Sequence, residues 1–206
     1  MIYEMRTDTF AQHNNAVDFI AKLGQAIEHR ATFSPLGALW LSEIGTLNQV
    51  IHVWPYEDLQ HRNEVRAAVA HDGEWPPSGI EGLLGEEVDI LNPAPFMRPW
   101  HGVQELGNFY EVRSYVCKPG SIREMIQAWG KLIPAREKFS PLAACWYTEF
   151  GTQFKWVSVW PYTSLDERAR VRSEASKAGA WPPETGHLMM RQENRIMTPA
   201  PFSPLR

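Results

Sequence analysis

The stretch NQVIHVWPY, residues 48–56, sets an amide and an imidazole among aromatic rings. Residues two apart in an extended strand share one face, so Asn48, His52, Trp54 and Tyr56 are expected to project together. A neutral imidazole can serve as base or donor near pH 7, and an amide can orient a carbonyl or an oxygen species. His52 and Asn48 are therefore the candidate catalytic pair, in the manner of a cofactor-independent oxygenase or isomerase. The competing reading is a hydrogen-bonded core histidine. Phe154 and Ser158 occupy the corresponding positions later in the chain, so such a site belongs to the first half alone. The candidate ligand-lining set is Trp40, Asn48, His52, Trp54 and Tyr56 with Trp146, Trp160 and Tyr162.

Other chemistry-bearing residues carry weaker signals. Glu43 and Glu149 stand three residues after Trp40 and Trp146, which puts acid and indole on opposite strand faces. Their expected role is pairing with a repeated arginine. Arg62 and Arg66, like Arg168 and Arg172, are four apart and predict a charged, solvated helix stripe. Trp75 and Trp181 each precede two prolines and read as loop packing. The seven histidines form no H-x-x-x-H or Cys/His cluster, which argues against a metal site. No glycine-rich phosphate loop or nucleophile elbow occurs, so no cofactor is expected. Cys117 and Cys145 are too few for a disulfide framework and read as buried thiols.

A net charge of -4, with lysine and arginine spread along the chain, supplies no basic stripe for nucleic acid. The first residues do not resemble a secretory signal, and no apolar run approaches a membrane span. A cytoplasmic protein is expected, with a small-molecule ligand as the expected partner and homo-oligomerisation left open.

These residues must be positioned by a repeated unit. VWPY occurs at 53–56 and again at 159–162. At that offset of 106, residues 28–96 align with 134–202 without a gap, and 28 of the 69 pairs are identical. Composition alone would match roughly one pair in seventeen. The shared blocks are FSPL, W..E.GT, VWPY, L..R..VR, WPP and PAPF, with YEMR and YEVR upstream. A period this long implies two whole folds: residues 1–98 and 108–206, joined by a linker over 99–107.

Within each copy a β-prone opening precedes a helical pattern (Val17, Ile20, Leu23, Ile27 in the first). Two apolar stretches around Gly-Thr then predict a hairpin, a second helix begins at Asp58 or Ser164, WPP ends it, and a last strand runs into PAPF. The order β-α-β-β-α-β is ferredoxin-like, with two helices on one face of a four-stranded sheet. The VWPY strand is apolar on both faces, so the bare faces of the two sheets are expected to pack together within the chain. The resulting fold class is α+β: two tandem ferredoxin-like (βαββαβ) domains pairing sheet to sheet as an intrachain pseudo-dimeric α+β barrel, with the helices outside.

The stretches YEMRT, W.SEIG.LNQVIHVWPYEDL..R..VR and the following EW resemble the NIPSNAP family over nearly the whole first copy. The second copy keeps YEVR, W.TE.G, VWPY and L..R..VR but has QFKWVS in place of LNQVIH. The resemblance implies a tandem member of the dimeric α+β barrel superfamily, whose two-domain members pair within one chain. It implies no particular reaction. The function expected is binding of a small apolar or aromatic molecule in a barrel cavity. The alternatives are the oxygenase or isomerase above and an adaptor acting through protein contacts.

Overall fold

The computed structural model describes all 206 residues. The alternating strands and helical stripes form in the expected order. The first unit is β1 (Ile2–Phe10), α1 (His13–Ala31), β2 (Ala38–Ile44), β3 (Gln49–Tyr56), α2 (Leu59–Asp72) and β4 (Leu83–Pro93). The second is β5 (Phe109–Cys117), α3 (Ile122–Arg136), β6 (Ala144–Phe150), β7 (Lys155–Tyr162), α4 (Leu165–Lys177) and β8 (Met189–Pro199).

Local chemistry sets the boundaries. The Asp58 carboxylate accepts from the His61 amide at 2.9 Å, and the Ser164 hydroxyl accepts from the Glu167 amide at 3.0 Å, so α2 and α4 start on capped donors. Ser121 differs from the expected cap: its hydroxyl donates to the Lys118 carbonyl and caps nothing. Helix α2 stops before WPP, because Gly73 takes the left-handed conformation that closes a helix. Helix α1 buries Ala16, Phe19 and Leu23, with Ile20 and Ile27 packed partly buried beside them, so the stripe read from the sequence holds except at Val17, which is exposed.

The expectation of two sheets stacked face to face, a dimeric pair folded into one chain, is corrected by the strand pairing. The two βαββαβ units share one sheet, with strands in the closed order β1-β3-β2-β8-β5-β7-β6-β4. The edge of each unit hydrogen-bonds to the other: Trp40–Ile44 of β2 against Ile196–Pro199 of β8, and Ile90–Pro93 of β4 against Trp146–Phe150 of β6. Edge strands expose unpaired donors and acceptors, and each copy satisfies its twin's. The ring closes within the one chain.

Strand parity divides the apolar residues into an inner cluster and two outer ones. Inside the ring, Tyr3, Trp40, Ile51 and Val53 meet Tyr110, Trp146, Val157 and Val159. The contacts across the halves are reciprocal, with Trp40 5.3 Å from Tyr110 and Tyr3 5.4 Å from Trp146. Trp100 and Leu106, in the stretch joining the copies, pack on this cluster. Outside, α1 and α2 cover Val50, Trp54 and Tyr56, while α3 and α4 cover Trp156, Trp160 and Tyr162. The PAPF segments exchange places: Phe96 packs with the second outer cluster and Phe202 with the first.

Candidate functional site

The aromatic part of the interior is filled by side chains, Trp40 and Trp146 among them, and the open space within the ring is a polar cavity of about 660 Å³ at one end, lined by Gln49, Glu87, Ser114, Lys155, Glu193 and Arg195. The two apolar-walled cavities lie on the outer face, between sheet and helices, one in each unit. The first encloses about 340 Å³ beneath α1 and α2 and the second about 320 Å³ beneath α3 and α4. Both fall at the small end of the range for ligand pockets.

A shared frame explains most of the repeated motifs. The first strand of each unit carries a buried glutamate, Glu4 or Glu111, on its helix-facing side. Arg6, Arg62 and Arg66 converge on Glu4, and Arg113, Arg168 and Arg172 on Glu111. The arginines expected as a solvated stripe are thus bound to buried carboxylates, because their partners lie on a strand distant in sequence. Burial alone would raise the Glu111 pKa, and the three guanidinium groups outweigh it and hold the carboxyl below its usual value. The hairpin carboxylate Glu149 accepts from Asn92 at 2.7 Å, not from an arginine.

The helix ends supply the second part of the frame. Arg30 and Arg136 turn back into the protein, lying 4.2 Å above Trp54 and 4.3 Å above Trp160. Each reaches the FSPL serine and the VWPY tyrosine: Arg30 donates to Ser34 and Tyr56, Arg136 to Ser140 and Tyr162. The WPP tryptophan closes the wall, with Trp75 5.7 Å from Trp54 and Trp181 5.5 Å from Trp160. Burial lowers the pKa of both arginines and raises that of Tyr56 and Tyr162, so the phenols remain protonated acceptors.

Inside this frame the first cavity holds a three-residue relay. Trp54 Nε1 donates to His52 Nδ1 at 2.7 Å, and His52 Nε2 lies 2.9 Å from Asp8 Oδ2. Indole is only a donor, so in a neutral ring the proton sits on Nε2 and is given to Asp8. His52 is 4% and Asp8 2% exposed. The other carboxylate oxygen, Asp8 Oδ1, has no partner, and the cavity is lined by Asp8, His52, Trp54, Tyr56, Phe19 and Trp75 among others. Both histidine nitrogens are engaged, so the free acceptor is the carboxylate that orients against the ring.

The sequence-derived candidates separate accordingly. His52, Trp54 and Tyr56 line the first cavity, and Trp160 and Tyr162 line the second. Trp40 and Trp146 are inside the ring, fully buried, and line neither. Asn48 precedes β3, in the hairpin turn at φ 58, with its amide 3.5 Å from the Ala11 carbonyl. It is not brought to His52. Asp8 and Arg30 were missed by sequence reasoning. A carboxylate within a strand is a depleted residue type, which was the available signal for Asp8; for Arg30 it was recurrence at Arg136. Cys117 and Cys145 are buried free thiols. Burial pushes Cys117 up to about 11 and Cys145 well above its usual value, which leaves neither as a thiolate nucleophile near neutral pH.

The NIPSNAP family model matches twice, over residues 3–98 and 110–204. The chain is 28% identical over 212 residues to human Protein NipSnap homolog 3B, covering 99% of this chain and 85% of that protein. It is 30% identical over 189 residues to a NipSnap homolog of Dictyostelium discoideum, covering 87% and 78% respectively. Among solved structures, an anthrone oxidase-like protein superposes with a TM-score of 0.67 over 96% of this chain and 90% of its own, at 9% identity, a likeness of fold alone. No helix is long and apolar enough to cross a membrane.

Proposed function

The chain belongs to the NIPSNAP family, and from that premise we propose that its first-half outer cavity binds a small molecule with an aromatic or apolar body and a hydrogen-bond donor at one end. One observation carries the reading: the buried, unpartnered Asp8 Oδ1 in the cavity of Trp54, Trp75 and Phe19. A buried acceptor without a partner costs about 1–3 kcal/mol, which a ligand N–H or O–H would recover. His52 keeps the carboxylate in one orientation, and the aromatic walls take the ligand's flat body. Free thiols at Cys117 and Cys145 suit the reducing cytoplasm, where we place this activity.

Native mass spectrometry of freshly purified protein, with a tryptophan-fluorescence titration using indole and phenethylamine, tests the reading. A small-molecule mass, or quenching by either probe, is expected for the wild type and is lost in Asp8→Ala. Equal behaviour of wild type and variant, or no uptake at all, defeats the proposal.

The same carboxylate supports a second reading, proton abstraction within a cofactor-independent isomerase or monooxygenase. Asp8 Oδ1 would take a proton from the bound substrate while His52 Nε2–H holds Oδ2. Asn48 has no part in it. Incubation of the retained molecule in D2O distinguishes the two: deuterium entering a C–H position in wild type but not in Asp8→Ala indicates proton transfer, and its absence leaves binding alone.

A further inference from the structure

We propose that the second-half cavity is a separate binding site for a small carboxylate with an aromatic or apolar body. Three buried donors on residues that line this cavity have no partner: Arg136 Nε, whose counterpart Arg30 Nε is likewise unpartnered in the first cavity, and Thr185 Oγ1 and Trp129 Nε1, which the second cavity alone has. Arg136 is 2% and Thr185 1% exposed. Buried polar groups are nearly always hydrogen-bonded, and buried charges are nearly always paired. Arg136 contacts Ser140 and Tyr162, both neutral, and faces no carboxylate at ion-pair distance.

The charge around the cavity runs the same way. Arg113, Arg136 and Arg172 line it, and no aspartate or glutamate does. The nearby acid is Glu111, which is shared among Arg113, Arg168 and Arg172 and leaves that cluster net positive. The first cavity has three lining carboxylates, Glu4, Asp8 and Glu86. In the second, Tyr115 stands at the position of Asp8 and Gln192 at that of Glu86. The second unit therefore keeps the arginines, the tryptophan walls and the clamped glutamate, and has neutral residues where Asp8 and Glu86 stand in the first. A carboxylate supplies what is missing: two oxygens able to accept from several donors, one negative charge, and a body that fits between Trp160 and Trp181.

Isothermal titration calorimetry of the full chain with phenylacetate, indole-3-acetate and cyclohexanecarboxylate, and with neutral phenylacetamide, tests this. At least one carboxylate is expected to bind, with phenylacetamide about tenfold weaker or undetectable. Arg136→Met is expected to abolish carboxylate binding. Because that variant could fail to fold, Thr185→Val provides the second arm: it replaces an unpartnered hydroxyl by a methyl, so the thermal midpoint should hold or rise while affinity falls about tenfold. Asp8→Ala, in the other cavity, should leave carboxylate affinity unchanged, which keeps this result distinguishable from the first-half reading. Absence of binding by all three carboxylates, equal affinity for the amide, or unchanged affinity in Thr185→Val would overturn the proposal and assign the orphan donors to water.

Discussion

The two cavities share a wall and differ in what the wall surrounds. Each is built from a buried glutamate clamped by three arginines, a helix-end arginine stacked on the VWPY tryptophan, and the WPP tryptophan opposite. The first then adds Asp8 and His52, and the second has Tyr115 and Ser158 in their places with Trp129 for Leu23. The shared residues are held to one another by hydrogen bonds, ion pairs and ring contacts in both copies, whereas the differing ones change the polarity of the space they enclose. Duplication within one chain makes this possible, since either cavity can change while the common interior is held by both copies.

The largest test of the shared frame is removal of its acids. Glu4→Ala and Glu111→Ala each remove the buried carboxylate on which three arginines converge and should cost about 3 kcal/mol in urea unfolding, since the half-exposed Arg66 and Arg172 regain water and Arg6 keeps Glu86. A marked inequality between the two would break the claim that the frames are equivalent. Glu111 also predicts a pH dependence. Its folded pKa lies below the ordinary carboxylate value, so its contribution is complete above that value and is lost as the pH falls through the folded pKa. Unfolding of Glu111→Gln should lack that acidic loss, and an unchanged acid limb would count against the assignment.

The divergent residues should show unequal effects. His52→Ala leaves both Asp8 and the Trp54 indole without their partner and should cost about 2–3 kcal/mol. Ser158, at the same strand position, has no hydrogen-bond partner, so Ser158→Ala should cost under about 1 kcal/mol. Equal costs would erase the distinction between the halves. Gly37 and Ala143 sharpen it at the connector. A Cβ at Gly37 would come within 2.7 Å of the Trp100 ring, while the second copy carries an alanine there already. Gly37→Ala should therefore lose about 1–3 kcal/mol by calorimetry, and a neutral result would show that Trp100 yields. The smallest effect concerns the thiols: native protein at pH 8 should react negligibly with a disulfide reagent and release two equivalents only on denaturation. Rapid native reaction at Cys117 would contradict its burial.

Much of the fold was legible because local patterns repeat. Alternation and Gly-Thr turns mark the strands, capping residues mark the starts of α2 and α4, and the 106-residue offset marks the unit. The site was legible in part. Strand parity correctly groups His52 with Trp54 and Tyr56, yet extending it to Asn48 fails, because the chain has already entered a left-handed turn there that asparagine tolerates. Asp8 and Arg30 escaped notice because their importance comes from partners 44 and 26 residues away in sequence, His52 and Tyr56. The arginines of α2 and α4 escape a reading of the sequence for the same reason: a helix shows its charge spacing but not the carboxylate opposite.

Sequence alone determined that a βαββαβ unit occurs twice and which residues of each strand share a face, since both follow from side chains close together along the chain. Tertiary structure decided that the two units join edge to edge in one sheet, that the aromatic interior is shared by both, and that the orphan groups of the two outer cavities differ, a carboxylate oxygen beside Arg30 Nε in the first and the Thr185 and Trp129 donors beside Arg136 Nε in the second. Those outcomes depend on which distant backbone edge satisfies which, and on whether a buried polar atom meets a partner or faces open space. No local periodicity encodes either.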